Sequence, residues 1–126
     1  VGFVFYACES TTALRSASKL RLLIQGEWEM ILINPNVPAE KWIFEASGKV
    51  YRMEMIHDTT RSDTIDVGNY QISTTLSTPY LTISDFSKRP LDFMNGKWTL
   101  VELDDKIMVI AIKQGGLVQK EFTKMP

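Results

Sequence analysis

His57 and Cys8 are the only histidine and the only cysteine in the chain, so most side-chain chemistry would have to begin with them. A serine or cysteine nucleophile activated by an imidazole base would depend on His57. His57 opens the polar run His57-Asp58-Thr59-Thr60-Arg61-Ser62-Asp63, which reads as an exposed loop, and a loop histidine is expected rather than a base. One thiol forms no internal disulfide, and one thiol with one imidazole leaves a transition-metal site short of ligands. Asp58, Asp63 and Asp66 lack the fixed spacing of a calcium loop. Glu27 and Glu29 flank Trp28 and are expected to face outward, while Asp104-Asp105 reads as a turn. Neither G-x-x-x-x-G-K-[ST] nor G-x-G-x-x-G occurs. The expectation is a protein that is not an enzyme and uses no cofactor or metal. A carboxylate pair assembled by folding is the one arrangement that spacing leaves open.

The remaining chemistry is recognition of apolar groups. Trp42, Phe44, Met53, Met55, Tyr70 and Phe93 are the candidate ligand-binding residues, with Phe86, Met94 and Met108 supplying further bulky surface. Methionine adapts to irregular shapes and aromatic rings give area, which suits a lined cavity as well as an ordinary core. A net charge of −1, from 14 basic and 15 acidic residues, gives no broad attraction to phosphate backbones, so nucleic acid is not an expected partner.

The elements that must position these residues are short and numerous. With 126 residues, 44% hydrophobic and 23% charged, the chain suits one domain with its own core. Residues 12–25 read as a helix, capped by Ser10, Thr11 or Thr12, with Leu20, Leu23 and Ile24 on one face and Gly26 as its stop. After Gly26 the apolar period becomes two. Strands are expected over 27–34, 41–46, 49–56, 64–73, 80–84, 97–103, 106–113 and 117–124. In 49–56, Val50, Arg52 and Glu54 alternate with Tyr51, Met53 and Met55. Gly68 is expected as a bulge or bend; Ser47-Gly48, Leu76-Ser77-Thr78-Pro79, Asn95-Gly96 and Gln114-Gly115-Gly116 as turns. Eight such strands with no helices between them predict an all-β antiparallel meander, closed as an up-and-down barrel or folded as a sandwich.

Residues 1–7 (VGFVFYA) are almost wholly apolar and run into Cys8 and the polar Glu9-Ser10-Thr11-Thr12. A small residue before a cysteine at the end of an apolar run resembles a bacterial lipobox, in which the cysteine is lipidated and becomes the mature N-terminus. Phe5 and Tyr6 are bulkier than that pattern, and a short buried strand with a core cysteine is the other reading. The lipobox reading makes 1–7 precursor sequence and Cys8 a membrane anchor whose thiol is removed by acylation.

Gly26-Glu27-Trp28 after a short helix resembles the G-x-W signature of the lipocalins. Trp42-Ile43-Phe44 with Ser47-Gly48-Lys49-Val50, Gly68-Asn69-Tyr70, Trp98-x-Leu100-x-x-Leu103 with Ile107-Met108-Val109-Ile110, and Phe122-x-Lys124 are similar in order and spacing to small bacterial lipocalin-like domains of the calycin type. The resemblance runs from about Leu20 to Lys124. It implies an eight-stranded lipocalin-like barrel over 20–126 behind an N-terminal arm over 1–19. It also implies structural signature roles for Gly26, Trp28 and Lys124, the lysine lying over the tryptophan by a cation–π contact, with Lys120 as the alternative. The implied function is non-enzymatic binding of a small hydrophobic ligand or lipid, with 34–39, 57–63 and 85–96 as the rim. The alternative is an accessory subunit that docks a protein partner through its surface and loops. The implied location is the bacterial cell envelope, periplasmic or as an outer-membrane lipoprotein. Because the chain is shorter than ligand-carrying lipocalins, its cavity is expected to be small or filled.

Overall fold

The computed structural model describes residues 16–31, 39–55, 62–76, 78–87 and 94–126, with the backbone alone at Met55, Ser62 and Asp63. One helix, α1 (Ala17–Ile24), leads into eight strands: β1 (Gly26–Met30), β2 (Glu40–Phe44), β3 (Lys49–Met55), β4 (Ser62–Thr75), β5 (Thr78–Ser84), β6 (Gly96–Leu103), β7 (Ile107–Lys113) and β8 (Leu117–Lys124). Each strand pairs antiparallel with the next, and β1 pairs with β8, so the sheet closes as an up-and-down barrel. The eight expected strands are all present, with ends moved by a few residues.

Local chemistry accounts for the differences. Ser16 caps α1 by accepting from Lys19 N at 3.2 Å, while residues 10–12, expected as caps, lie outside the described residues. The helix ends at an extended Gln25, so Gly26 is the first strand residue rather than a helix stop. It lies at φ +121°, and a Cβ there would come within 2.8 Å of Lys124 Nζ, so glycine is required twice over. Gly68 is not a bulge: it pairs with Val50, and the irregularity falls instead where Arg52 and Met53 face Asp66 and Thr64, leaving Ile65 as the extra residue. Pro79 is a buried residue of β5, not a turn residue. It pairs with Thr74 beyond the point where β6 begins to pair at Tyr80, so its missing N–H costs no ladder bond on that side.

An alternating meander has two ends. One carries α1 and the connections β2–β3, β4–β5 and β6–β7; the other, here the far end, carries β1–β2, β3–β4, β5–β6 and β7–β8. The helix straddles the expected join of arm and barrel, burying Leu20 and Ile24 in the core with Ala17 and Leu23 packed against it. Trp28, Trp42 and Trp98 are all fully buried. Trp28 donates its indole N–H to Ile24 O at 2.8 Å and Trp98 donates to Met94 O at 2.7 Å. Both follow a positive-φ glycine by two residues, Gly26 at +121° and Gly96 at +147°. Because β1 starts at the helix end and β6 at the far end, the same Gly-x-Trp device plugs both ends.

Trp28 and Lys124 sit opposite each other across the β1–β8 ladder. Lys124 Nζ lies 4.6 Å from the Trp28 ring centroid and donates to Leu23 O at 3.4 Å and to Gln25 O. Those carbonyls end α1 and have no partner within the helix, so one ammonium closes the helix and covers the ring. Burial pushes the Lys124 ammonium below the ordinary lysine value, and the Asp105 carboxylate acts in the opposite direction. Trp28→Ala is expected to cost about 3–5 kcal/mol in urea unfolding, as for other fully buried aromatics. A loss under about 1 kcal/mol would remove Trp28 from the core.

Candidate functional site: a charge cluster inside the barrel

The inward faces of β2, β3 and β4 carry three charged residues. β2 alternates with Glu40, Trp42 and Phe44 buried. On β3 the buried residues are Val50 and Arg52; on β4 Asp66 is buried too. Arg52, only 1% exposed, pairs across the ladders with Trp42 on one side and Asp66 on the other. Its Nε donates to Glu40 Oε1 at 2.8 Å and its Nη2 to Glu40 Oε2 at 3.3 Å. Its Nη1 lies 3.5 Å from Asp66 Oδ2 and, though buried, makes no hydrogen bond among the described residues. Glu40 Oε1 also accepts the Trp42 indole N–H at 2.8 Å. Two carboxylates thus surround one guanidinium away from water.

Aromatic rings wall the cluster. The guanidinium carbon is 5.3 Å from the Phe86 centroid and 6.0 Å from that of Trp42. Trp42 meets Phe86 and Phe122 edge-on, both at 5.3 Å. Phe86 follows β5 at the far end and is held there by three contacts. Asn95 Oδ1 accepts from Phe86 N at 3.0 Å, Asn95 Nδ2 donates to Phe86 O at 2.8 Å, and Ser87 N donates to Asp66 Oδ2 at 3.0 Å. Gly68 leaves the room, since a Cβ there would fall 2.9 Å from Phe86 Cδ1. Asn95 is therefore a side-chain clamp at the end of this connection, and Gly96 opens β6 rather than closing a turn.

Of the six candidate ligand-binding residues, Trp42, Phe44 and Tyr70 are buried in the core and Met53 is half-buried. Trp42 touches the charge cluster. Phe44 and Tyr70 stack edge-on at 5.1 Å toward the helix end, where Tyr70 Oη donates to Glu45 O at 2.6 Å. Burial pushes the Tyr70 phenol above its ordinary value, while Arg21 lowers it and Glu45 raises it. Tyr70 also borders an outer cleft of about 190 Å³ with Arg21, Ala46, Ser47, Gly48 and Gln71. Met53 is a correction: it is half-buried on the outer face, because Arg52, which it follows, turns inward to meet Glu40 and Asp66. Met55 ends β3 and its side chain lies outside the described residues, as do Phe93, His57 and Cys8. Most of the expected rim, 34–39, 57–63 and 85–96, lies there too, though 39, 85–87, 94–96 and the backbone of 62–63 are described.

Sequence reasoning missed Glu40, Arg52 and Asp66. The signal was their phase: Glu40 is in step with Trp42 and Phe44, and Arg52 with Val50. Among the described residues no group of three or more histidine, cysteine and acidic side chains could hold a metal, and no helix is long and apolar enough to cross a membrane.

Arg52→Met would leave two buried carboxylates without their cation, and chemical denaturation is expected to show a loss of about 3–5 kcal/mol. A change under about 1 kcal/mol would mean that water already solvates the cluster. No protein-family model matches the chain, and no curated protein matches it.

Proposed function

We propose that this protein is a non-enzymatic, lipocalin-like binding barrel that takes a small hydrophobic ligand at its far end. The observation that carries the reading is the buried guanidinium whose Nη1, ion-paired with Asp66 at 3.5 Å, makes no hydrogen bond among the described residues, set among aromatic rings at the end where the Phe86 segment enters. Burying such a cluster is expensive, and well-packed hydrocarbon of the same volume often stabilises a protein as well or better. A donor beside aromatic walls is recognition chemistry. Three fully buried tryptophans fill much of the interior, which favours a compact ligand over a long-chain lipid.

A second reading, an accessory subunit that docks a protein partner, draws on the outside of β2–β4. There Ile43 faces Tyr51 and Tyr51 faces Val67 across the ladders, giving an apolar row on an outer face with Met53 on the same side. Both readings go with a place in the bacterial cell envelope, periplasmic or anchored to the outer membrane through lipid on Cys8. The support for that part is the apolar run 1–7 ending in Ala7-Cys8 and the lipocalin-like motifs.

Native mass spectrometry of protein isolated from its source separates these outcomes. A co-purifying small molecule that leaves on denaturation is the expected result. A stoichiometric protein partner without one would favour docking, and a bare, unpartnered barrel would count against both. The same spectrum reads the N-terminus: acyl mass on Cys8 is expected, and an unmodified Cys8 with residues still upstream would overturn the anchor.

A further inference from the structure

We propose that the outer cleft at the helix end, between α1, the β2–β3 turn and β4, binds a small free α-amino acid, with its carboxylate on Arg21 and its ammonium toward Glu45. This site lies at the other end of the barrel from Phe86 and does not rest on the far-end reading. Arg21, Ala46, Ser47, Gly48, Tyr70 and Gln71 line a volume of about 190 Å³. At ~30 Å³ for each water, that is room for roughly six waters, the scale of a molecule of about six heavy atoms. It is too small for the apolar body of a drug-sized ligand.

The hydrogen bonds already made by the lining select the ligand. Tyr70 Oη gives its proton to Glu45 O at 2.6 Å, and Ser47 Oγ gives its own to Glu45 Oε1 at 3.4 Å. Gly48 N is spent on Glu45 O at 3.1 Å. Each hydroxyl then offers only lone pairs, so a ligand must donate to them. The cationic donor is Arg21, an exposed side chain of α1. Among the described residues its guanidinium makes no hydrogen bond or ion pair, with Glu45 or with any other side chain. A guanidinium fork matches a carboxylate in both shape and charge. One ligand must therefore accept at Arg21 and donate near Tyr70 and Ser47.

Charge decides which donor fits best. The Arg21 guanidinium and the Glu45 carboxylate act on the Tyr70 phenol in opposite directions, so both charges stand near its oxygen. Beside Glu45 an ammonium is favoured over a hydroxyl, because a charged donor makes the stronger hydrogen bond to a carboxylate. A bare C–H in that place offers nothing to either oxygen. An α-amino acid carries both charges across a single carbon, the short separation that so small a cleft requires.

Three acids that differ only at the α-carbon test this: L-alanine, L-lactate and propionate at neutral pH, titrated into the folded protein and followed by two-dimensional NMR. The Gly48 backbone N–H and the Gln71 side-chain amide report the cleft, and the Trp98 indole N–H, held by Met94 O, reports the far end. Alanine is expected to move the Gly48 and Gln71 signals, to leave Trp98 in place, and to bind about tenfold or more tighter than propionate, with lactate between them. Arg21→Gln, at an exposed helix position, is expected to weaken alanine about tenfold or more. In Glu45→Gln, which keeps an acceptor for Ser47 Oγ and removes the charge, the lead of alanine over lactate is expected to disappear. Lactate or propionate binding as tightly as alanine, undiminished alanine binding by Arg21→Gln, or a lead that survives Glu45→Gln would overturn the proposal. So would signals that stay still with all three probes or move at Trp98 alone, and none of these results bears on the far-end reading.

Discussion

Pairing β1 with β8 removes both edges of the sheet, and from that closure comes a single interior in which every inward side chain must find its partners. At the seam, Trp28 stands opposite Lys124, and the lysine reaches back to the carbonyls that end α1. Helix, first strand and last strand are thereby joined through one ammonium and one indole. Gly26 makes the joint feasible, because any side chain there would occupy the place of the lysine head. The far end repeats the tryptophan half of the arrangement, with Gly96 and Trp98 in the places of Gly26 and Trp28 and Met94 O as the acceptor. Two large rings, both fully buried, enter the core from opposite ends.

Within that core, the buried ions are the feature that hydrocarbon would not reproduce. Glu40, Arg52 and Asp66 belong to three successive strands, and Asp66 extends the cluster to Ser87 after β5. Part of this is structural: Glu40 accepts from the Trp42 indole, a donor that would otherwise be buried unmet, and Asp66 accepts from the Ser87 backbone where the chain leaves β5. Neutral amides could serve those donors equally well. The charges themselves, and a guanidinium nitrogen whose facing carboxylate stands off at 3.5 Å, are what a purely structural role does not require.

The fold was largely legible because period-two alternation, turn residues and strand count all point to one closed meander. Gly26-x-Trp28 and Lys124 were legible as a set, since a small residue, a large ring and a cation at fixed strand positions have a physical use together. The charge cluster was not. Alternation on β3 separates Val50 and Arg52 from Tyr51 and Met53, but it does not say which set faces in, and hydrophobicity favours the methionine set. The answer comes from partners on other strands: Arg52 turns inward because Glu40 and Asp66 meet it there, and no local window contains all three. Asn95 was misread for a related reason. Asn-Gly marks a turn locally, yet the amide is used to clamp Phe86 nine residues away.

Whether the cluster is kept for recognition or for stability can be measured in one variant. Glu40→Gln, Arg52→Met and Asp66→Asn together remove all three charges while keeping acceptors for the Trp42 indole and Ser87 N. Urea unfolding of this triple variant is expected to show stability within about 1 kcal/mol of the parent protein, or above it, because no buried charge is left unpaired. A loss of about 3 kcal/mol or more would show that the ions hold the barrel together and would contradict the recognition account.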